Sequence, residues 1–388
     1  MGATQRSITG ALRKGLANRA VQVATGVTIA VGFGIGVALL ANSSGASETT
    51  STTAVPTDSA PGPDLDGVVY VLLAADVGVP TSVVALDSTS GEVLATFDAS
   101  FDPEAAVDTE RDRLYIASGL DPSYLSVLNG SDGRLLHQVA FPHRWNNTLP
   151  TYDRRMVLSP KGRWLYALKA ESLAPERDLY TVAVFDAERG EFGREELPLG
   201  DCAGGRILAD DSTVRVMCPH TGALLSFPVL GEGSFGPPSS VNVTGQFVPG
   251  AVLVPGTTDV LVMTEIGRVI LVGADGVKAI GDVTDDDSVE PAIGGLLVSS
   301  DGSRLFVGLG AGRVGEISTV VAYDLDSNQV VAELRLPTPA WTLSLSEDGG
   351  RIFAPSYEAR QVHVIDTEAL TLVTSWSMPD RPVQVLGP

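Results

Sequence analysis

A chain of 388 residues could hold two or three average domains, but closed all-β folds use about 200 residues or more as one unit, so a single large domain stays open. With 44% hydrophobic and 19% charged residues there is ample material for a core. A net charge of -21, spread along the chain, excludes nucleic acid as a partner, because a polyanion would be repelled.

Residues 20–41 carry no charge, and as a helix rising about 1.5 Å per residue they would cross the hydrocarbon of a bilayer. A transmembrane helix is expected there. Arg6, Arg13, Lys14 and Arg19 precede it and the first acidic residue is Glu48, so residues 1–19 are expected in the cytoplasm and all that follows outside it. The small residues Ser44-Gly45-Ala46 would also suit a cleaved secretory signal, but the apolar run is longer than a signal core. Either reading exports the remainder. Residues 42–66 are rich in Ser, Thr, Ala, Pro and Gly, too poor in apolar side chains to offset their ordering entropy, and read as a disordered tether.

From residue 67 the chain repeats. Trp341 to Ser346 reads as a short strand, Glu347-Asp348-Gly349-Gly350 as a turn, and Arg351 to Pro355, Gln361 to Asp366 and Leu372 to Ser377 as three further strands. The same phase places Tyr70, Tyr115, Tyr166, Val216, Val262, Phe306 and Phe353 in second strands, at intervals of 45, 51, 50, 46, 44 and 47 residues. A period in the forties built of short strands is the signature of propeller blades. Seven blades are therefore expected over residues 67–388. The turns Ser159-Pro160-Lys161-Gly162 and Ser300-Asp301-Gly302-Ser303 recur before second strands, and Ser131-Asp132-Gly133 and Ala187-Glu188-Arg189-Gly190 before fourth strands. Arg113, Arg163, Arg304 and Arg351 share one position, which points to a structural role. The chain enters on a second strand, GVVYVLL, and ends on a first, residues 381–386, so the C-terminal strand is expected to close the ring.

Motifs that would carry chemistry are sparse. Cys202 and Cys218, the only cysteines, flank a predicted hairpin turn at Asp210-Asp211 almost symmetrically; an exported hairpin suits a disulfide, whereas a metal site would want more ligands than these two and His220. His137, His143, His220 and His363 fall in different units without metal-ligand spacing. Gly308 to Gly315 reads as a loop within one blade, and Asp285-Asp286-Asp287 with Glu290 lacks the alternation of a calcium loop. No metal and no cofactor is expected. The long connection Phe141 to Tyr152 offers His143, Arg144 and Trp145, and Glu171, Tyr357, Arg360 and Arg381 fall in loops of the same face. Exposed aromatic and arginine side chains on a rigid ring suit a protein partner.

The cysteine hairpin in Asp201 to Gly236 and the SPKG turn with its strand, Leu158 to Tyr166, resemble the propeller-forming heavy subunit of quinone-dependent amine dehydrogenases and the related YVTN propellers. That resemblance covers about residues 67–388 and implies a seven-bladed, extracytoplasmic propeller with an internal disulfide. It also implies that any tryptophan-derived quinone would belong to a separate small subunit. The expectation that follows is a membrane-anchored, non-catalytic binding or scaffold propeller. The alternatives are a subunit of an amine dehydrogenase-like enzyme, or a propeller hydrolase or lyase.

Overall fold

The computed structural model describes residues 67–74, 81–99, 104–118, 123–141, 156–174, 177–200, 202, 205–231, 233–245, 247–284, 290–310 and 316–387. By contacts the chain divides into Met1–Asp58 and Ser59–Pro388, and every described residue falls in the second unit. The expected tether and transmembrane segment lie outside the described residues. No helix among the described residues is long and apolar enough to cross a membrane.

Seven antiparallel sheets form seven blades. Blade 1 takes its inner strand from the C-terminus: Arg381–Leu386, Val68–Ala74, Thr81–Asp87 and Val93–Ala99, from the axis outwards. Blade 2 is Glu104–Asp108, Arg113–Ser118, Tyr124–Asn129 and Leu135–Ala140; blade 3 is Met156–Leu158, Trp164–Ala174, Arg177–Asp186 and Glu191–Gly200. Blade 4 is Arg206–Ala209, Thr213–Cys218, Ala223–Gly231 and Ser239–Asn242, with an extra strand Ser234–Phe235. Blade 5 is Gly250–Leu253, Val260–Met263, Arg268–Gly273 and Gly276–Asp282. Blades 6 and 7 are Glu290–Val298, Arg304–Gly310, Ile317–Asp324, Gln329–Ala340 and Ser344–Leu345, Arg351–Ser356, Gln361–Asp366, Thr371–Ser377. All seven anchor residues of the repeat sit on second strands and are at most 1% exposed. Second strands are buried on both faces, hence near-continuous apolar runs such as VVYVLL.

Two turn chemistries recur. Between first and second strands, the hydroxyls of Ser159, Ser299 and Ser346 accept the backbone N–H of Trp164, Arg304 and Arg351, and Gly162, Gly302 and Gly349 supply the positive φ. Between third and fourth strands, Asp87, Asp186, Asp324 and Asp366 accept turn N–H groups through Oδ1. Near the turn from the third strand, the outer strands of blades 1, 2, 5, 6 and 7 each carry one extra residue, at positions 94, 136, 280, 331 and 373, a bulge that tightens the twist, and in blade 6 a second, wider irregularity sets residues 336–339 opposite Ser318.

The recurring arginines fasten one blade to the next. Arg113 of blade 2 donates to the Ala187 carbonyl of blade 3 at 2.7 Å, Arg304 of blade 6 to Glu368 of blade 7 at 3.2 Å, and Arg351 of blade 7 to Ser88 of blade 1 at 2.6 Å. Arg163 departs from the rule, lying over Trp164 and pairing with Asp186 and Glu188 of its own blade.

The Cys202–Cys218 disulfide is present and closes a loop of sequence separation 16 across the first hairpin of blade 4. Constraining such a loop in the unfolded chain is worth about 3 kcal/mol. The double variant Cys202→Ala, Cys218→Ala is expected to lower the unfolding free energy by that amount, read as a lower urea midpoint, as is reduction of the wild type; an unchanged midpoint in both would remove the disulfide from the stability account.

Candidate functional site

Inner strands all begin, and second strands all end, at one face of the ring, so the blade-to-blade connections and the turns between second and third strands gather there. We term this the loop face, and the opposite one the turn face. Three connections bring three side chains together on the loop face. Trp341, from the link between blades 6 and 7, stacks on Tyr357 of the second-to-third turn of blade 7, with ring centroids 4.8 Å apart and planes at 27°. Arg381, at the start of the closing strand, places its guanidinium 5.1 Å from the Tyr357 ring centroid and donates to the phenol oxygen at 3.3 Å. All three are half-buried. Such stacking positions the side chains before any ligand arrives, and a cation over an aromatic face is itself attractive.

Arg360 ends the same turn in the left-handed region, φ 52, with its side chain exposed. Its carbonyl accepts the Met378 N–H at 2.8 Å, which holds the turn against the exit of blade 7. Tyr357, Arg360 and Arg381 thus share the face expected of them. Glu171 lies on the second strand of blade 3, in register with Leu179. His143, Arg144 and Trp145 lie outside the described residues, as do residues 285–289 of the acidic link. Trp341 escaped the sequence reading because Trp341 to Ser346 reads as a strand; the structure starts that strand at Ser344 and leaves Trp341 in the connection between blades.

Other polar groups near this face are held for structural ends. Lys169 is 2% exposed and pairs with Glu196, whose second oxygen accepts the Thr181 hydroxyl. His363 is fully buried, with Nδ1 2.8 Å from Ser375 Oγ and Nε2 2.8 Å from Thr338 Oγ1. Burial holds its pKa below the ordinary 6.5. Neutral His363 therefore contributes stability that is complete above pH 6.5 and is lost as pH falls towards the depressed folded value, because in that interval the unfolded chain binds a proton the folded one does not. Urea midpoints measured downwards from pH 7 should decline more steeply for the wild type than for His363→Asn; equal slopes would refute the assignment. Among the described residues no group of three or more His, Cys, Asp or Glu is placed to hold a metal ion.

Comparison with known proteins gives the fold alone. No protein-family model matches the chain, and no curated protein does. Among solved structures, it is similar to a functionally unknown protein from Desulfotomaculum acetoxidans, with a TM-score of 0.63 at 11% identity over 83% of this chain and 99% of that one. It is similar to a putative 6-phosphogluconolactonase from Bacteroides uniformis, with a TM-score of 0.60 at 14% identity over 82% and 98%. The dihydro-heme d1 dehydrogenase NirN gives a TM-score of 0.55 at 13% identity over 83% of this chain and 66% of that one. At such identities a shared ring of blades says nothing of shared chemistry.

Proposed function

We propose that the chain is a membrane-tethered, extracytoplasmic propeller whose loop face binds a protein or exported ligand and performs no chemistry of its own. In this reading residues 20–41 anchor it, residues 42–66 tether it, and the ring over residues 67–388 presents the site. The observation that carries the reading is the Trp341, Tyr357 and Arg381 cluster, three half-exposed side chains from three separate connections, arranged as interface anchors are. The disulfide supports residence in an oxidising compartment. A protein partner would meet aromatic surface flanked by Arg360 and Arg381 on an otherwise acidic molecule, which favours a partner with carboxylates at that point.

The test is capture from membranes with the full chain, anchor intact, followed by titration of the recovered partner. Arg381→Ala and Tyr357→Ala are expected to weaken binding at least about tenfold. Recovery of no specific partner, together with turnover of an amine or a sugar substrate, would overturn the reading. The second reading is a propeller subunit of an amine dehydrogenase-like enzyme, favoured by the disulfide-linked hairpin of blade 4, or a hydrolase or lyase of propeller fold. A small cysteine-rich exported protein co-purifying with the chain would favour the dehydrogenase.

A further inference from the structure

Eight of the twelve large apolar side chains exposed among the described residues occupy one place in the repeat. In blades 6, 7, 1 and 2 the turn from third to fourth strand ends on a residue in the left-handed region, Asn328, Leu370, Gly91 and Gly133 in that order, with φ between 47 and 73. The second and third residues after it are Val330-Val331 in blade 6, Leu372-Val373 in blade 7, Val93-Leu94 in blade 1 and Leu135-Leu136 in blade 2. Each of them is between 37% and 55% exposed.

The bulge explains why both members of a pair are bare. In a regular strand successive side chains point to opposite faces, so one of two neighbours turns towards the adjoining blade. Here residues 94, 136, 331 and 373 are the extra ones, and each stands with its predecessor opposite a single residue of the third strand: Leu86, Leu128, Tyr323 and Ile365. The remaining blades lack the pair. Phe192 of blade 3 is half-buried and followed by Gly193, the fourth strand of blade 4 opens Ser239-Ser240, and in blade 5 Val277 is followed by Lys278. The aliphatic pairs therefore form one arc over four consecutive blades, on the rim where outer strands leave the turn face. Equivalent positions in a ring of similar blades lie at one height, so the arc presents its side chains to a single plane.

Where the chain enters the ring selects what meets that plane. Gly67 precedes the second strand of blade 1 at the turn face; its carbonyl accepts the Ser88 N–H at 2.6 Å, and it borders the same cleft as Ser346 and Asp348 of blade 7. It thus stands at the seam between blades 7 and 1, the middle of the arc. In the reading given above, on which this inference rests, residues 42–66 are all that join Gly67 to the bilayer, and a flexible chain of that length spans about 25–30 Å on average.

We infer that the turn-face rim of blades 6, 7, 1 and 2 seats on the bilayer surface, its aliphatic pairs entering the boundary between headgroups and acyl chains. Aliphatic edge strands left in water are an aggregation liability, which proteins usually blunt with charge. A lipid surface is flat, wide and fluid, so it covers side chains spaced a blade apart without matching their shape, and the apolar area buried sets the strength of the contact. With a net charge of -21 the chain is not drawn to anionic lipid, which leaves the aliphatic contact as the attraction. Seated so, the ring turns the loop face, with Trp341, Tyr357 and Arg381, away from the membrane and towards a partner.

The test places one fluorophore at a time on the full chain, reconstituted in phosphatidylcholine vesicles. Both native cysteines form the disulfide, so an introduced cysteine is the one thiol to label with nitrobenzoxadiazole. Leu94→Cys, Val331→Cys and Val373→Cys change exposed positions, as does the control, Lys278→Cys in blade 5. Lipids brominated along the acyl chain should quench the first three labels about twofold or more and leave the control label as it is in unbrominated lipid. Adding Leu94→Asp and Val373→Asp should relieve the quenching of the label at Val331→Cys, since the rim leaves the lipid as a unit. Arc labels whose emission shifts to the blue with protein density, without quenching by bromine, would assign the arc to a second copy and overturn the inference. Equal quenching at all four positions would overturn it as well. A chain washed from the vesicles by alkaline carbonate would overturn the anchored reading itself, whereas a chain retained in them with unquenched arc labels would overturn the seating alone.

Discussion

Deleting residues 379–388 is expected to abolish cooperative folding. Arg381–Leu386 pairs antiparallel with the second strand of blade 1, from Tyr70 opposite Leu386 to Ala74 opposite Arg381, and is the only inner strand that blade has. Its loss would bare the inner edge of VVYVLL, whose residues are at most 4% exposed, and would remove Val385 from the core it shares with Phe353, Val362 and Val71. It would also strand the hydroxyl of Ser344, which donates to the Val385 carbonyl across the seam between blades 7 and 1. Burying an apolar side chain contributes about 1.5–3 kcal/mol, so losing several together with a strand ladder approaches the whole stability of about 5–15 kcal/mol. Circular dichroism melts and size-exclusion chromatography should show a non-cooperative or aggregated species. A truncated chain that still melts in one sharp transition, within a few degrees of the full one, would mean the ring does not depend on this closure.

Gly133→Ala should be the most damaging single methyl group tested at a turn. Gly133 has a φ of +68, and a Cβ built there would lie 1.8 Å from Phe97 Cδ1, a ring on the outer strand of blade 1 packed onto the turn of blade 2. The left-handed conformation costs an alanine about 1 kcal/mol, and displacing a packed ring adds about 1–3 kcal/mol, so a loss of about 3 kcal/mol is expected. Gly256→Ala is the control: its φ is +72 but nothing lies within 4 Å of the added methyl, so only the conformational part should remain. Urea midpoints decide between them. Phe97→Leu should recover part of the loss in the Gly133→Ala background, and equal losses at Gly133 and Gly256 would contradict the packing argument. The same relation joins Trp376 of blade 7 to Gly91 of blade 1, where the added Cβ would meet the indole at 2.3 Å, and His137 of blade 2 to Gly190 of blade 3 at 3.3 Å. Glycine in these turns therefore serves twice, for its backbone and for the neighbouring blade.

This inter-blade packing also marks where local pattern stops being informative. The strands, their order within a blade, the turn chemistries and the hairpin disulfide follow from near-neighbour physics: alternation, β-branched runs, Asx and serine turns, and two cysteines balanced about one turn. Even ring closure was legible, because a repeat that opens on a second strand and ends on a first leaves three strands of a blade at one end and the missing one at the other. That Arg113, Arg304 and Arg351 share a position was visible too, but not that each reaches the carbonyl of the next blade, since the partner lies 74, 64 or 263 residues away.

The two surfaces depended still more on tertiary structure. Trp341, Tyr357 and Arg381 converge only because the ends of three connections are brought to one rim. The aliphatic pairs of blades 6, 7, 1 and 2 make one arc only because closure by Arg381–Leu386 sets blade 7 beside blade 1. Sequence alone determined that this chain makes seven similar sheets joined end to end, since each sheet is a local solution to burying its own alternating residues. Which side chains meet between sheets was decided by the twist and spacing of the ring, quantities that belong to no single repeat.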